Sequence, residues 1–390
     1  MIENQEVNIT TSAPLTDHLE EISLVQQDIP FKFDKHSNAP SPLLHLRDSQ
    51  KQPFSFYPLT ATSVVYSKNS ISKQIASLCS DEYENACVSF LNQLYELLKA
   101  GKNIEKVLDD LYAGLYEFRI KCEDSQWVVL KEAILSHPIK EIIHLDRCTA
   151  HSFNRPRGYP GDALLLDYFY GFKDLDLNLE NLSDRILRYT INRPSGKAVR
   201  ERTKVIAERI DAISAKINKP RILSLACGHL REAGFSAAVM KDQVGEYVAF
   251  DHDIRSLDSI NKAYIYNTNI QTVQGSVLNL IAGKKEDLGE FDFVYASGLY
   301  DYLSLKMAIR LTTYMFNKLR PGGTLLITNF LPNIPDIGYM ESFMNWDLIY
   351  RDISDMNMIF QSLPAHKVKC QHLYKGDNNT VIYLEVEKMG

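Results

Sequence analysis

From about residue 200 to the C-terminus, short apolar runs alternate with helical periods. This predicts an α/β fold: a seven-stranded, doubly wound sheet behind an N-terminal helical domain. Three observations carry the prediction. Arg221-Ile-Leu-Ser-Leu-Ala-Cys-Gly-His-Leu-Arg-Glu232 is an apolar run that ends in a small-residue turn, and a second run, Val248-Ala-Phe-Asp251, ends in an acid. Further strand-like runs follow at 270–274, 291–296, 324–330, 366–373 and 380–387, after the first two at 221–226 and 246–251. The last two are separated only by Lys375-Gly-Asp-Asn-Asn379, which has the composition of a hairpin turn.

Taken in order, residues 1–55 are polar and punctuated by Pro and Ser, and read as a flexible arm. A helical domain is expected over 56–195. Its first apolar face carries Phe90, Leu91, Leu94 and Leu98, and Gly101 is placed to end that helix. Ile104, Val107, Leu108, Leu111, Tyr112, Leu115 and Phe118 form a stripe at helical spacing. Asp124-Ser125 is placed to cap a third helix through Trp127, Leu130 and Ile134. Asn154-Arg-Pro-Arg-Gly-Tyr-Pro-Gly-Asp162 then combines turn-forming Pro and Gly with Arg157, Tyr159 and Asp162. Two readings stay open for this loop: it lines a substrate site, or an Arg–Asp pair staples two domains.

The third segment, 196–390, opens with a helix bearing Val205, Ile206, Ile210, Ile213 and Ile217. In a doubly wound sheet, ligands bind at the carboxyl ends of the strands, at the point where strand order reverses. Those ends are Ala226-Cys-Gly228, Asp251, Gly275-Ser276-Val277, Ala296-Ser297-Gly298 and Asn329-Phe330. An acid about 20 residues after the first turn is positioned for ribose hydroxyls, so Asp251 is the expected ribose ligand. A dinucleotide-binding Rossmann turn has three glycines where this chain has Ala226, Gly228 and Leu230.

Composition excludes several classes. The 390 residues are 45% hydrophobic and 24% charged, with a net charge of −6, which makes no electrostatic case for nucleic acid. Six scattered cysteines without a CxxC pair argue against a zinc site or a disulfide framework, and no metal is expected. No run approaches the roughly 18 apolar residues of a membrane span. The first residues lack a basic and apolar leader, and a cytoplasmic location is expected.

Leu319-Arg-Pro-Gly-Gly-Thr-Leu-Leu-Ile resembles the turn before the fifth strand of class I S-adenosylmethionine-dependent methyltransferases. Phe291-Asp-Phe-Val and the hairpin-ended sheet agree with that superfamily. Longer strings resemble one bacterial subfamily: HPIKEIIHLDRCTAHSFNRPRGYPGDALLLDYFYG, LACGHLREA, YASGLYDYL and GYMESFMNWDLIYR. Some of its members are labelled as biosynthesis proteins of an extracellular factor, 3-hydroxypalmitic acid methyl ester. The resemblance implies S-adenosyl-L-methionine as cofactor and a small-molecule acceptor. It implies adenine contacts near Ser276, where many methyltransferases have Asp, with Val277 and Ser297 beside the cofactor. Arg231 or Glu232 is expected at its methionine tail, whose carboxylate suits Arg and whose ammonium suits Glu.

Methyl transfer from a sulfonium is an in-line displacement, and a carboxylate nucleophile needs no base. Tyr300, Asp301 and Tyr302 follow the fourth strand and are the candidates to orient or deprotonate an acceptor, unless they only begin a packed helix. Tyr339, Phe343 and Trp346 are spaced to share a helical face. They form either a lid over an apolar acceptor, with Arg351 for its carboxylate, or ordinary core. O-methylation of a carboxylate or hydroxyl is the favoured reading, with a 3-hydroxy fatty acid as one acceptor. The rivals are a non-catalytic cofactor-binding regulator, an aminopropyl-type transferase and a pyridine-nucleotide dehydrogenase. The oligomeric state is left open.

Overall fold

The computed structural model describes residues 80–101, 103–173, 176–283 and 288–390, which fall in one compact unit. The arm expected over 1–55 and the first part of the helical segment lie outside the described residues. The described chain starts with α1 (Ser80–Lys99), α2 (Ile104–Lys121), α3 (Asp124–Ser136), α4 (Ile139–Ile143), α5 (Arg147–Asn154), α6 (Ala163–Tyr170) and α7 (Leu182–Ile191). Every member of the α2 stripe, from Ile104 to Phe118, is buried. Gly101 takes a left-handed φ of +67° and its N–H closes on the Leu98 carbonyl, so α1 stops where glycine permits it. The cap of α3 lies one residue earlier than expected. Glu123, not Asp124 or Ser125, is the cap, and its N–H donates to Gln126 Oε1 at 3.1 Å.

The long helix α8 (Pro194–Lys216) leads into the sheet, with Pro in its first turn, where no N–H is missed. Seven strands follow: β1 (Arg221–Leu225), β2 (Glu246–Asp251), β3 (Ile270–Gln274), β4 (Phe291–Ala296), β5 (Leu319–Phe330), β6 (Val368–Lys375) and β7 (Val381–Lys388). Between them run the short α9 (Ala237–Met240), α10 (Ile254–Ala263), α11 (Val277–Ile281), α12 (Leu305–Asn317), α13 (Ile337–Glu341) and α14 (Ile353–Gln361). The sheet order is β3-β2-β1-β4-β5-β7-β6; β1 to β5 are parallel and β7 is antiparallel to both neighbours. This is the hairpin-ended, doubly wound seven-stranded sheet the strand pattern predicts. Its order reverses between β1 and β4, which opens the ligand crevice at their carboxyl ends.

Period-two alternation divides the sheet between two hydrophobic layers. Ile222, Tyr247, Ala249, Phe293 and Tyr295 point to one face, against Ile206, Ile210 and Ile213 of α8 and Leu257 and Ile260 of α10. Leu223, Leu225, Val248, Phe250, Val294 and Ala296 belong to the other, which is continuous with the buried residues of α1 to α7. The helical segment therefore shares a core with the sheet, and this brings its loops to the strand ends.

The expected aromatic face after β5 is not a single helix. α13 stops at Glu341, and Asn345 takes a φ of +48°. Tyr339 and Phe343 are buried as core: Tyr339 stacks on Tyr112 of α2 with ring centroids 4.1 Å apart and meets Phe343 at a tilt, with centroids 5.6 Å apart. They are not a lid, because the helical layer reaches them first. Only Trp346 of the three reaches the strand ends.

Candidate active site

The turn after β1 keeps the backbone of a glycine-rich loop with a single glycine. Ala226, Gly228 and Leu230 have φ of +51°, +53° and +51°. For Ala226 and Leu230 this left-handed geometry costs on the order of 1–3 kcal/mol each, strain that a functional turn retains. Asp251, at the end of β2, holds the turn in place. Its Oδ2 accepts the Gly228 N–H at 2.8 Å and its Oδ1 accepts the Asp253 N–H at 2.9 Å. A carboxylate has about four acceptor directions, so these bonds leave lone pairs for further donors. The hydrogen bond to Asp251 also raises the His252 pKa.

Two residues expected at a methionine tail have protein partners instead. Arg231 forms a bidentate pair with Asp167 of α6, with both N–O distances 2.7 Å. Glu232 is buried and accepts the Tyr295 hydroxyl at 2.5 Å, and burial raises its pKa. The reason is tertiary: α6 lies across the turn and brings Asp167 to it. Asp167 also meets His229 Nδ1 at 2.9 Å. Burial opposes its charge, but the bonds to Arg231 and His229 outweigh that and hold its pKa below the usual carboxylate range. His229 Nε2 is buried and, among the described residues, has no hydrogen-bond partner.

The 154–162 loop lies over the same strand ends. Arg157 Nη1 donates to Asp253 Oδ2 at 2.7 Å and to Ser256 Oγ at 2.8 Å, which ties the loop to the start of α10. The Tyr159 ring sits 5.6 Å from that of His252, and burial together with the nearby Asp251, Asp253 and Asp162 charges raises its pKa. Asp162 has a scaffold role: it caps α6 through the Leu165 N–H at 2.8 Å and pairs with His151 at 2.9 Å. With 0% of its surface exposed, it offers no face to a substrate. Ser276 caps α11, its Oγ accepting the Leu278 N–H at 3.2 Å, and Val277 and Ser297 are half-buried at their strand ends.

The three residues after β4 separate. Tyr300 is fully buried with its hydroxyl 2.7 Å from Thr312 Oγ1 of α12, so it is a core contact and not an acceptor-side group. Asp301 accepts the Phe330 N–H at 2.7 Å, and burial pushes its carboxyl up to about 6. The Tyr302 hydroxyl accepts the Trp346 N–H at 2.7 Å and is enclosed by the Gly161 backbone, although 39% of the residue is exposed. Arg351, expected to meet a substrate carboxylate, is buried and donates to the Tyr300 carbonyl at 2.6 Å and to Asn329 Oδ1 at 2.7 Å; it also donates to the Leu303 carbonyl. It braces the loop after β4.

His229 stands in the turn that the sequence marks for the cofactor, whereas reading the sequence missed Asp167 and Arg202. Arg202 did leave a signal. It stands on the apolar stripe of α8 with Ala198, Val199, Ile206 and Ile210, where a solvated arginine has no place.

The five described cysteines are free thiols. No metal-binding group of His, Cys, Asp and Glu occurs among the described residues, and no helix among them is long and apolar enough to cross a membrane. No protein-family profile matches the chain, and neither does any curated protein. Among solved structures, the chain is similar to a possible exported protein from Bordetella parapertussis at 14% identity and a TM-score of 0.46, over 64% of this chain and 96% of that one. The N-methyltransferase NodS from Bradyrhizobium japonicum WM9, solved with S-adenosyl-L-homocysteine, gives 11% and 0.36 over 48% and 87%. An O-methyltransferase family protein from Burkholderia thailandensis gives 11% and 0.39 over 58% and 70%. Likenesses of this depth extend to the arrangement of strands and helices and no further.

Proposed function

We propose that the chain is an S-adenosyl-L-methionine-dependent methyltransferase that methylates an oxygen, carboxylate or hydroxyl, of a small-molecule acceptor. One observation carries this reading. At the end of β2 the buried Asp251 carboxylate is aimed by the backbone N–H of the left-handed turn, at the crevice between β1 and β4, with a lone pair to spare for a ribose hydroxyl. The residues present suit such a cofactor in a second respect. The His229 Nε2, on the same turn, is buried and, among the described residues, has no hydrogen-bond partner, a deficit of about 1–3 kcal/mol that a polar ligand group would relieve.

When bound, the cofactor supplies an electrophilic methyl group. The chain's own residues then divide the work. Asp251 and the Ala226–Gly228 turn hold the nucleoside, with Ser276, Val277 and Ser297 along its base and tail. Arg157 and Tyr159 close the loop over the crevice and exclude water, which strengthens every charge interaction inside it. Tyr302 and Trp346 flank the acceptor. An ionised carboxylate needs only positioning. For a hydroxyl acceptor, Asp301 is the base, since a carboxyl near 6 takes up a proton at neutral pH more readily than an ordinary one. The apolar surround of Trp346 suits a fatty acyl acceptor such as a 3-hydroxy fatty acid.

The test is calorimetric titration with S-adenosylmethionine, S-adenosylhomocysteine and, as control, NAD. Micromolar binding of the first two and none of the third is expected. A folded sample silent toward both sulfur ligands overturns the reading. Binding without turnover on any carboxylate or hydroxyl acceptor would favour a regulatory protein.

A further inference from the structure

We propose that Arg202 of α8 is the receptor for a ligand carboxylate in the crevice between β1 and β4, an assignment that rests on the methyltransferase reading above.

Arg202 is 3% exposed, and its Nε is buried without a hydrogen-bond partner among the described residues. Among the described residues no carboxylate lies within ion-pairing distance of it. The acids around it are committed elsewhere: Glu232 to the Tyr295 hydroxyl and Asp301 to the Phe330 N–H. The Tyr170 hydroxyl, at the end of α6, hydrogen-bonds the guanidinium but brings no negative charge to it. Burying a guanidinium costs several kcal/mol unless an anion and full hydrogen bonding offset it. The other buried arginines at this site have their offset: Arg157 has Asp253 and Arg231 has Asp167. Arg202 alone among these three lacks one.

The approach to its fork is kept open by the loop after β4. Gly298 has a φ of +149°, and a Cβ built there would stand 3.2 Å from Nη2 and 3.4 Å from Nη1 of Arg202. A side chain at 298 would crowd the two nitrogens that a carboxylate needs for a bidentate pair. Glycine leaves that ground clear at the point where strand order reverses and the ligand belongs. Two sources offer a carboxylate here: the aminoacyl tail of the cofactor, and the acceptor itself.

The experiment separates them. Full-length wild type, Arg202→Gln and Arg202→Lys are titrated with S-adenosylhomocysteine and with 5′-methylthioadenosine, which carries the nucleoside without the carboxylate. Decanoate and decanol are then titrated into the protein with and without saturating S-adenosylhomocysteine, and circular dichroism checks folding. If the cofactor tail is the occupant, Arg202→Gln weakens S-adenosylhomocysteine by about 10- to 100-fold and leaves methylthioadenosine within about twofold. If the acceptor is the occupant, both nucleosides bind as in wild type. Decanoate then weakens by that factor and decanol does not. Arg202→Lys keeps the buried charge and shows the same pattern, reduced, should the Gln variant fail to fold. Equal weakening of both nucleosides marks a structural residue and overturns the proposal, as does wild-type binding of every ligand. Wild type that binds neither nucleoside, yet binds decanoate in an Arg202-dependent way, would overturn the methyltransferase reading and leave the carboxylate site standing.

Discussion

Gly161→Ala tests whether the 154–162 loop closes on the acceptor side as described. A Cβ at 161 would lie 2.2 Å from the Tyr302 hydroxyl oxygen and 3.0 Å from Trp346 Nε1. The first is about 1 Å inside ordinary contact, so one group must move. The Tyr302 ring has room to swing, since 39% of the residue is exposed, but moving breaks the 2.7 Å bond from Trp346. Overpacking of this kind costs about 1–3 kcal/mol. The stiffer unfolded chain of the Ala variant returns about 0.4–1 kcal/mol. A net loss of about 1–2 kcal/mol is expected from urea denaturation at constant m-value. Tyr302→Phe on its own loses the Trp346 bond, at about 1 kcal/mol. Combined with Gly161→Ala it removes the clashing oxygen, so the double variant should be more stable than the sum of the singles by about 1 kcal/mol. Rescue is partial because Trp346 remains close. Additivity within about 0.5 kcal/mol would show that the two positions do not touch and would refute the closed loop.

Asp251→Asn keeps one acceptor oxygen for the turn but loses the charge, and should weaken S-adenosylhomocysteine at least about 100-fold in calorimetry; wild-type affinity would remove Asp251 from the ribose. Tyr300→Phe forfeits the Thr312 bond and about 1 kcal/mol of stability, measured by denaturation, while nucleoside binding stays unchanged. A selective loss of turnover would return Tyr300 to the acceptor side. Asp301 supplies a pH test. Its folded pKa of about 6 lies above the ordinary carboxyl value of 3.8, so between the two the folded state holds a proton that the unfolded state has released. Its contribution is fully present below pH 3.8 and is lost as pH rises through 6, on the order of 3 kcal/mol in total. Asp301→Asn removes that slope, so its stability relative to wild type should grow between pH 4.5 and 7. Parallel denaturation curves across that range would contradict the burial assigned to Asp301.

The strands, the hairpin-ended sheet and the Asp251 position were legible in the sequence because they are local. The apolar runs at 221–225 and 291–296 mark strands buried on both faces whatever the partner. The turn was legible too, though its chemistry was not: Ala226 and Leu230 occupy left-handed positions that side chains alone argue against. Tertiary structure decided the partners. Tyr339, Phe343 and Trp346 have helical spacing, yet the stack on Tyr112 made the first two core. Arg231 and Glu232 looked free until α6 brought Asp167 from 64 residues away and Tyr295 came up from β4. The same holds for Arg351, whose donors end on two carbonyls of the loop it braces and on the Asn329 side chain of β5. Periodicity encodes burial because it follows from one backbone's geometry. Whether a buried charge is paired depends on chain segments far apart in sequence. That Arg202 lies inside could be read from its stripe, but only the folded chain reveals that no acid among the described residues pairs with it.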